Sequence, residues 1–475
     1  MRLFSYIRYK KTVSLMMLSC IGFSACRQAV EVPVPTNSLV GSAVFSDNKT
    51  AIAVMTGLYN TMHSPANISD GTWSIGKFMA TAADELHNYF IGVASTQFYK
   101  NELSSNPGTY FWENFFKFIY IANSTLEGVE NSGSLKPSVQ QQLKGEARFM
   151  RAFINFYALN LYGTIPIVTS TDYRINNTLS RSPQQEVYKF IVEDLTEAKK
   201  LLTTEYLDAA NLPTSEKIRP NKATATALLA RVYLYLKDWK NAELQASELI
   251  GDTRYGLTPL NGVFLKNSQE AIWQLASASP VFTNTMDGFY YTLKTTPGIS
   301  NNNSMTDWLF NAFEAGDARK TDWVGSYTTG TTTYWYASKY KNSVRSSPVT
   351  EYFMVFRLAE QYLIRAEARA QQDNPDALND LNAIRRRASL GNYNGPTDKV
   401  AVLSAIQRER RVELFTEWGH RWFDLKRTGT LNALMEGPTG ITAAKGGKWT
   451  ANDTILPLPI SEIAVNPRLG QNKDY

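Results

Sequence analysis

The stretch that most restricts the fold is Lys222 to Ile250. KATATALLARVYLYL (222–236) places Ala227, Ala230 and Leu234 at i, i+3 and i+7, with Leu228, Val232 and Tyr235 on an adjoining stripe. A helix apolar over so much of its girth has to be buried. After Lys237-Asp238, the spacing of Ala242, Ala246 and Leu249 predicts a second helix from Trp239 to Ile250. Small residues let two such helices approach closely. A helix, a tight turn, a tryptophan and a second Ala-bearing helix is tetratricopeptide-style packing.

The pattern recurs. Glu146–Tyr162 (EARFMRAFINFYALNLY) predicts a helix ended by Gly163 and Pro166, and Gln184–Leu202 its partner, entered through Ser182-Pro183. Leu358–Gln372 and Pro375–Ala388 form another pair, and Val400–Trp418 a further helix. The repeat spacing is irregular, so this is no simple array. Segments 64–111 and 251–350 are rich in Gly, Asn, Ser, Thr and aromatics and predict loop-rich lobes. The expected fold class is all-α: a tetratricopeptide-like helical-pair scaffold with large loop-rich insertions carrying a few short strands. The body is one unit over 41–475, with an N-terminal part to about 250 and a C-terminal part over 251–475.

The N-terminus sets the location. Arg2, Arg8, Lys10 and Lys11 precede 14 apolar and small residues, 12–25. That run is too short for the ~30 Å of a bilayer core but suits a secretory signal. Ser24-Ala25-Cys26 resembles a bacterial lipobox, with Phe23 where leucine is usual, so Cys26 is the expected lipid attachment site. The alternative is a plain secretory signal beside a coincidental cysteine. Residues 1–25 are thus a lipoprotein signal peptide and 26–40, with two prolines, an extended tether. No later stretch is apolar for long enough to span, so the expected membrane link is the lipid anchor. The formal charge of +6 falls to +2 without residues 1–25, 45 basic against 43 acidic, which argues against a nucleic-acid partner. Two cysteines, Cys20 and Cys26, exclude a disulfide framework. His63, His87 and His420 have no ligand spacing, and no metal or cofactor is expected.

Five blocks then become recognisable: Gly145–Val168, Arg219–Ile250, Arg357–Ala370 with Ala377–Ala388, Ile406–Gly429, and Ile455–Tyr475. In this order, behind a lipobox, they resemble the SusD/RagB family of outer-membrane nutrient-binding lipoproteins. The C-terminus reads Gln471-Asn472-Lys473-Asp474-Tyr475 where the family usually has Gln-Asn-Pro-Gly-Tyr. The resemblance implies a surface-exposed lid over a SusC-like TonB-dependent outer-membrane transporter. Such a lid captures an oligosaccharide, or in some members a peptide, and delivers it to the barrel without catalysis.

Glu409, Glu413 and Glu417 at i, i+4 and i+8 raise one enzymatic alternative, a carboxylate pair of the retaining-glycosidase kind. Arg408, Arg410, Arg411, Arg421 and Arg427 lie nearby and hold carboxylates ionised, whereas a general acid needs a raised pKa. The expectation is a structural ion-pair cluster. Nucleophile-elbow, P-loop and G-x-G-x-x-G motifs are absent. A protein-interaction scaffold is the other alternative, since tetratricopeptide arrays bind partners along their concave face.

Rings are concentrated: 73–120 and 282–340 carry 26 of the 58 aromatics in about a fifth of the chain. A sugar's C–H face stacks on such rings while amides and carboxylates meet its hydroxyls. Trp112, Phe115, Phe116, Ile119 and Tyr120 have helical spacing and are expected in the core. Phe310 and Phe313 are expected to anchor a helix starting near Thr306. The candidate ligand-binding residues are Trp73, Asp84, Asn88, Tyr89, Tyr99, Tyr291, Trp308, Arg319 and Trp335. Asp84-Glu85 stands where the resembled family often carries an acidic pair, and a helix-end cap or a loop anchor is an equal reading.

Overall fold

The computed structural model describes residues 41–64, 67–105, 110–299 and 303–475. The expected signal peptide, Cys26 and the tether lie outside the described residues. In chain order the principal elements are α1 (Asn48–Met62), α2 (Ile75–Ala82), β1 (Leu86–Asn88), α3 (Val93–Lys100), α4 (Trp112–Glu130), α5 (Pro137–Tyr162), α6 (Gln184–Leu201), α7 (Lys222–Tyr235) and α8 (Trp239–Ile250). They continue with β2 (Ala271–Leu275), β3 (Asn303–Met305), β4 (Val324–Thr329), β5 (Thr332–Ala337), β6 (Phe353–Arg357), α9 (Leu358–Gln371), α10 (Ala377–Arg387), α11 (Lys399–Glu413) and α12 (His420–Arg427).

Helices α4 to α10 form a continuous row in which each packs on its predecessor, and α11 closes the row against α9. Sequence explains the start of each helix. Pro137 opens α5, where its missing N–H costs nothing. Asn221 and Thr224 form a reciprocal capping box on α7, and Asp238 caps α8 through the Asn241 N–H. Helix α7 is buried from Ala223 through Val232. Ala230, Leu234, Ala242, Ala246, Ile364 and Ala368 make the close α7–α8–α9 contact that the alanine spacing predicts. Inside this contact region Arg231 donates to both oxygens of Glu360 at 2.6 and 2.7 Å, and to the Tyr157 hydroxyl at 2.8 Å.

Strands β2 and β6 pair antiparallel, with Trp273 opposite Phe356, and both are fully buried. Phe153 of α5 meets Trp273, Phe356 and Trp418 edge-on at ring separations of 5.6, 6.0 and 5.4 Å. One aromatic core thus joins the helical row to the C-terminal part.

Three expectations change. Segment 64–111 holds helices α2 and α3 besides β1; every residue of α2 is buried, polar Lys77 and Thr81 included, which hid its period. The helix read over 400–418 ends at Glu413. Thr416, Trp418 and Gly419 adopt left-handed backbone at φ 57°, 46° and 72°, and α12 starts anew at His420. Trp112, Phe115 and Ile119 are core residues and Phe116 packs at its edge, but Tyr120 points outward and is 53% exposed.

Candidate functional site

The inserted segments meet through small sheets. Antiparallel β1 and β3 set Leu86 opposite Met305 and Asn88 opposite Asn303. Hairpin β4–β5 packs its second strand beside β3. Residues 86–100 and 303–337, remote in sequence, thereby share one surface.

That surface is built of rings. The Tyr99 hydroxyl lies 3.3 Å from His87 Nδ1, and the His87 and Tyr89 rings are 6.3 Å apart. The Tyr89 hydroxyl is 3.0 Å from Ser304 Oγ, and Tyr334 meets Tyr89 edge-on at 6.4 Å. All four rings are half-buried. Burial lowers the His87 pKa, with the Asp307 carboxylate opposing and the Lys445 cation reinforcing, so the imidazole is neutral at pH 7. Burial raises both Tyr89 and Tyr99, keeping them phenols. The face is uncharged, amphipathic and rich in hydroxyls, with exposed Asp307 at its edge.

Beside it Trp335 stacks on Phe310 at 4.2 Å and 12°, and Lys320 Nζ sits 3.9 Å from the Phe310 centroid. Phe310 ends the short helix Asp307–Phe310, which starts after Thr306 as expected, but Phe313, expected to anchor it too, is buried beyond its end. Trp308 on that helix is 38% exposed, and its carbonyl accepts from Arg411 at 2.8 Å. Trp73, 44% exposed, packs edge-on to Phe78, which stacks on Phe98, the neighbour of Tyr99. Asn88 turns inward: its Nδ2 donates to the Phe90 carbonyl at 2.7 Å, and its Oδ1 is buried without a hydrogen-bond partner.

Three expected ligand residues are interior instead. Arg319 is fully buried, donating to Asp317 and held 2.7 and 2.8 Å from Glu409 and Glu413. Asp84 is buried beneath Arg411 and Arg421, at 2.7 and 2.8 Å. It anchors loops: its backbone carbonyl accepts from Thr306 Oγ1 at 2.5 Å, and Glu85's carbonyl accepts from the Thr306 N–H. Tyr291 is buried in the lobe beyond β2. There Asp70 accepts from the Met286 and Asp287 N–H groups at 2.7 and 2.8 Å, and Asp287 accepts from the Gly71 N–H at 3.0 Å. Charged and hydroxylated residues in a loop-like segment predict exposure, whereas Arg319 and Asp84 tie the lobes to the frame through ion pairs and Tyr291 packs inside, its hydroxyl without a hydrogen-bond partner.

The sequence expectation includes neither His87 nor Tyr334 among the ligand residues, and it considers His87 only as a metal ligand. The available signal for Tyr334 was the alternation TTYWYA over β5.

Glu409 and Glu413 of α11 and Glu417 beyond it sit in an ion-pair cluster, but its cations are not the expected arginines: Arg410 and Arg427 bond Asp424, and Arg411 and Arg421 bond Asp84. Glu413 receives Arg319, Arg357 and Arg387, and Glu417 receives Arg357 and Lys339. Glu409 and Glu413 are 3% and 0% exposed, beyond reach of a substrate. Among the described residues no group of three His, Cys, Asp or Glu side chains could hold a metal, and no helix is long and apolar enough to cross a membrane.

Fold and site define a class: a tetratricopeptide-like helical scaffold whose inserted lobes carry a ring-lined face. The chain belongs to the SusD family, whose model matches residues 152–475; a second model, described as starch-binding associating with outer membrane, matches residues 42–234. It is 24% identical to SusD-like protein P38 of Formosa agariphila over 98% of this chain and 99% of that protein. It is 25% identical to the starch-binding protein SusD of Bacteroides thetaiotaomicron over 70% and 72%. A solved laminarin-binding SusD-like protein superposes with a TM-score of 0.74 at 23% identity, covering 90% of this chain and 99% of that one.

Proposed function

We propose that this protein is a non-catalytic outer-membrane lipoprotein that captures oligosaccharide on the Tyr89–Tyr99–Tyr334 face. It then delivers the ligand to a SusC-like TonB-dependent transporter. The observation that carries the reading is the face itself, neutral rings joined through His87, with Tyr89 held by buried Ser304 and exposed Asp307 at the edge. Apolar ring faces take the C–H side of a sugar, and the hydroxyls and carboxylate take its polar rim. The partly exposed Trp73 and Trp308, and Trp335 on the other face of β5, are further candidate sugar contacts. Relatives named for binding starch and laminarin support a glucan-like ligand. The burial of Glu409 and Glu413, out of reach of a substrate even though burial raises the Glu409 pKa, supports a binding role without turnover. The lipobox-like Ser24-Ala25-Cys26 supports an acyl anchor at Cys26.

Calorimetry on the chain lacking residues 1–26, against maltoheptaose, laminarin oligosaccharides and a tryptic peptide mixture, tests the ligand class. Saturable binding to an oligosaccharide, weakened in Tyr334→Ala, is expected. Binding of peptides alone, or release of shortened sugars, overturns the reading. Purification from native membranes tests the partner: the acylated chain is expected to bring a large barrel with it, and Cys26→Ala to lose its lipid.

A further inference from the structure

Behind the ring face lies a residue that no surface argument would select. Lys445 is buried, which pushes its pKa down to about 7 against the opposing Asp84 charge, and its Nζ donates to three consecutive backbone carbonyls, those of Thr81 (2.6 Å), Ala82 (3.0 Å) and Ala83. These carbonyls belong to the last turn of α2, where the helix leaves acceptors without intrahelical donors. The same Nζ sits 5.1 Å from the centroid of the Tyr99 ring. Its neighbours reinforce the grip on α3. Asn101, the residue that ends α3 in left-handed conformation, donates to the Ala82 carbonyl at 3.2 Å and to Thr442 Oγ1 at 3.0 Å. At Gly447 an added Cβ would stand 2.0 Å from the Lys100 carbonyl oxygen, so that chain crossing admits only glycine.

Segment 441–447 therefore grips the ends of the two helices that bracket β1. Strand β1 and the residues after it carry His87, Asn88 and Tyr89, and α3 carries Tyr99. We propose that Lys445 is a positioning residue for the ligand face: its Nζ fixes the end of α2 and supports the Tyr99 ring, which sets the spacing of Tyr99, His87 and Tyr89. Lys445 itself contacts no ligand. Binding by this face rests on the function proposed above; the positioning does not.

The test is hydrogen exchange and binding on the chain lacking residues 1–26. Lys445→Met removes the three-carbonyl clamp, and Thr442→Val removes only the Asn101 contact. Ile364→Ala, a cavity in the distant α7–α8–α9 contact, serves as the control for general loss of stability. Amides over 81–101 are expected to exchange at least about tenfold faster in Lys445→Met and detectably faster in Thr442→Val, with no local change in Ile364→Ala. Affinity for the tightest oligosaccharide of the maltoheptaose and laminarin set is expected to fall about tenfold in Lys445→Met. Lys445→Arg, which restores a charged donor, is expected to recover most of it. Unchanged exchange over 81–101 in both latch variants overturns the proposal, as does an equal affinity loss in Ile364→Ala. If the latch variants exchange faster but the unaltered protein binds no sugar, the positioning stands and the proposed ligand is what fails.

Discussion

Arg357 Nε lies 2.8 Å from Glu417, while Nη1 of the same guanidinium reaches Glu413 at 2.5 Å and Glu270 at 2.9 Å. One buried cation at the junction of β6 and α9 thus holds the segment before β2, the end of α11 and the turn into α12. Replacing it with methionine removes one cation from three buried carboxylates, leaving Glu413 to Arg319 and Arg387, Glu417 to Lys339 and Glu270 to Arg387. Arg357→Met is expected to cost about 3–5 kcal/mol, the range for breaking a buried pair from one side. Urea unfolding at pH 7 checks it, and a loss below about 1 kcal/mol would show that the network is dispensable.

Glu85 gives a pH signature of opposite sign to an ordinary ion-paired carboxylate. Burial and then the Asp84 charge push its pKa from near 4.5 up to about 7, against the Thr416 N–H and the charges of Arg421 and Lys339. Between pH 4.5 and 7 the unfolded chain gives up a proton that the folded protein keeps, so this group's contribution to stability falls as pH rises. Glu85→Gln removes the penalty. The variant is expected to match the native protein near pH 4 and to exceed it at pH 8 by up to ~3 kcal/mol. Unfolding titrations at the two pH values decide, and a gap independent of pH refutes the assignment.

The ring face predicts a separation of binding from stability. Tyr334→Ala removes a half-buried ring that meets Tyr89 edge-to-face, so affinity for the sugar is expected to drop about tenfold with little change in melting temperature. Trp335→Ala also breaks the Phe310 stack and is expected to lose about 1–2 kcal/mol of stability as well. Paired calorimetry and thermal melts distinguish the two. Equal destabilisation by both changes would mean that Tyr334 is structural.

Gly419 stands at φ 72°, and a Cβ there would meet the Met79 side chain at 2.8 Å. Gly419→Ala is expected to cost about 1–3 kcal/mol through backbone strain and overpacking against α2. Chemical denaturation measures it directly, and a neutral outcome would show that the turn can relax.

That turn also shows where sequence reading stops. The alanine ladders of α7 and α8 announce their own packing, because small residues at helical spacing have one economical use. The run from Val400 to Trp418 keeps helical spacing past Glu413, yet tertiary demand overrides it. Glu417 must reach Lys339 as well as Arg357, and Trp418 must seat its ring on Phe153. The site was legible as composition, rings gathered in two insertions, but not as membership. Whether Tyr89 or Tyr291 faces outward depends on strand pairing across remote segments, and Arg319 looks like a surface cation until its three carboxylate partners are brought to it.

The hairpin that supplies Tyr334 and Trp335 turns at Gly330, with Thr329 opposite Thr332 and both fully in solvent. Its tip is exposed, so its length and side chains can be exchanged like the jaw of a tool. Specificity can then drift from one polymer to another while the frame, and whatever docks on it, is inherited unaltered.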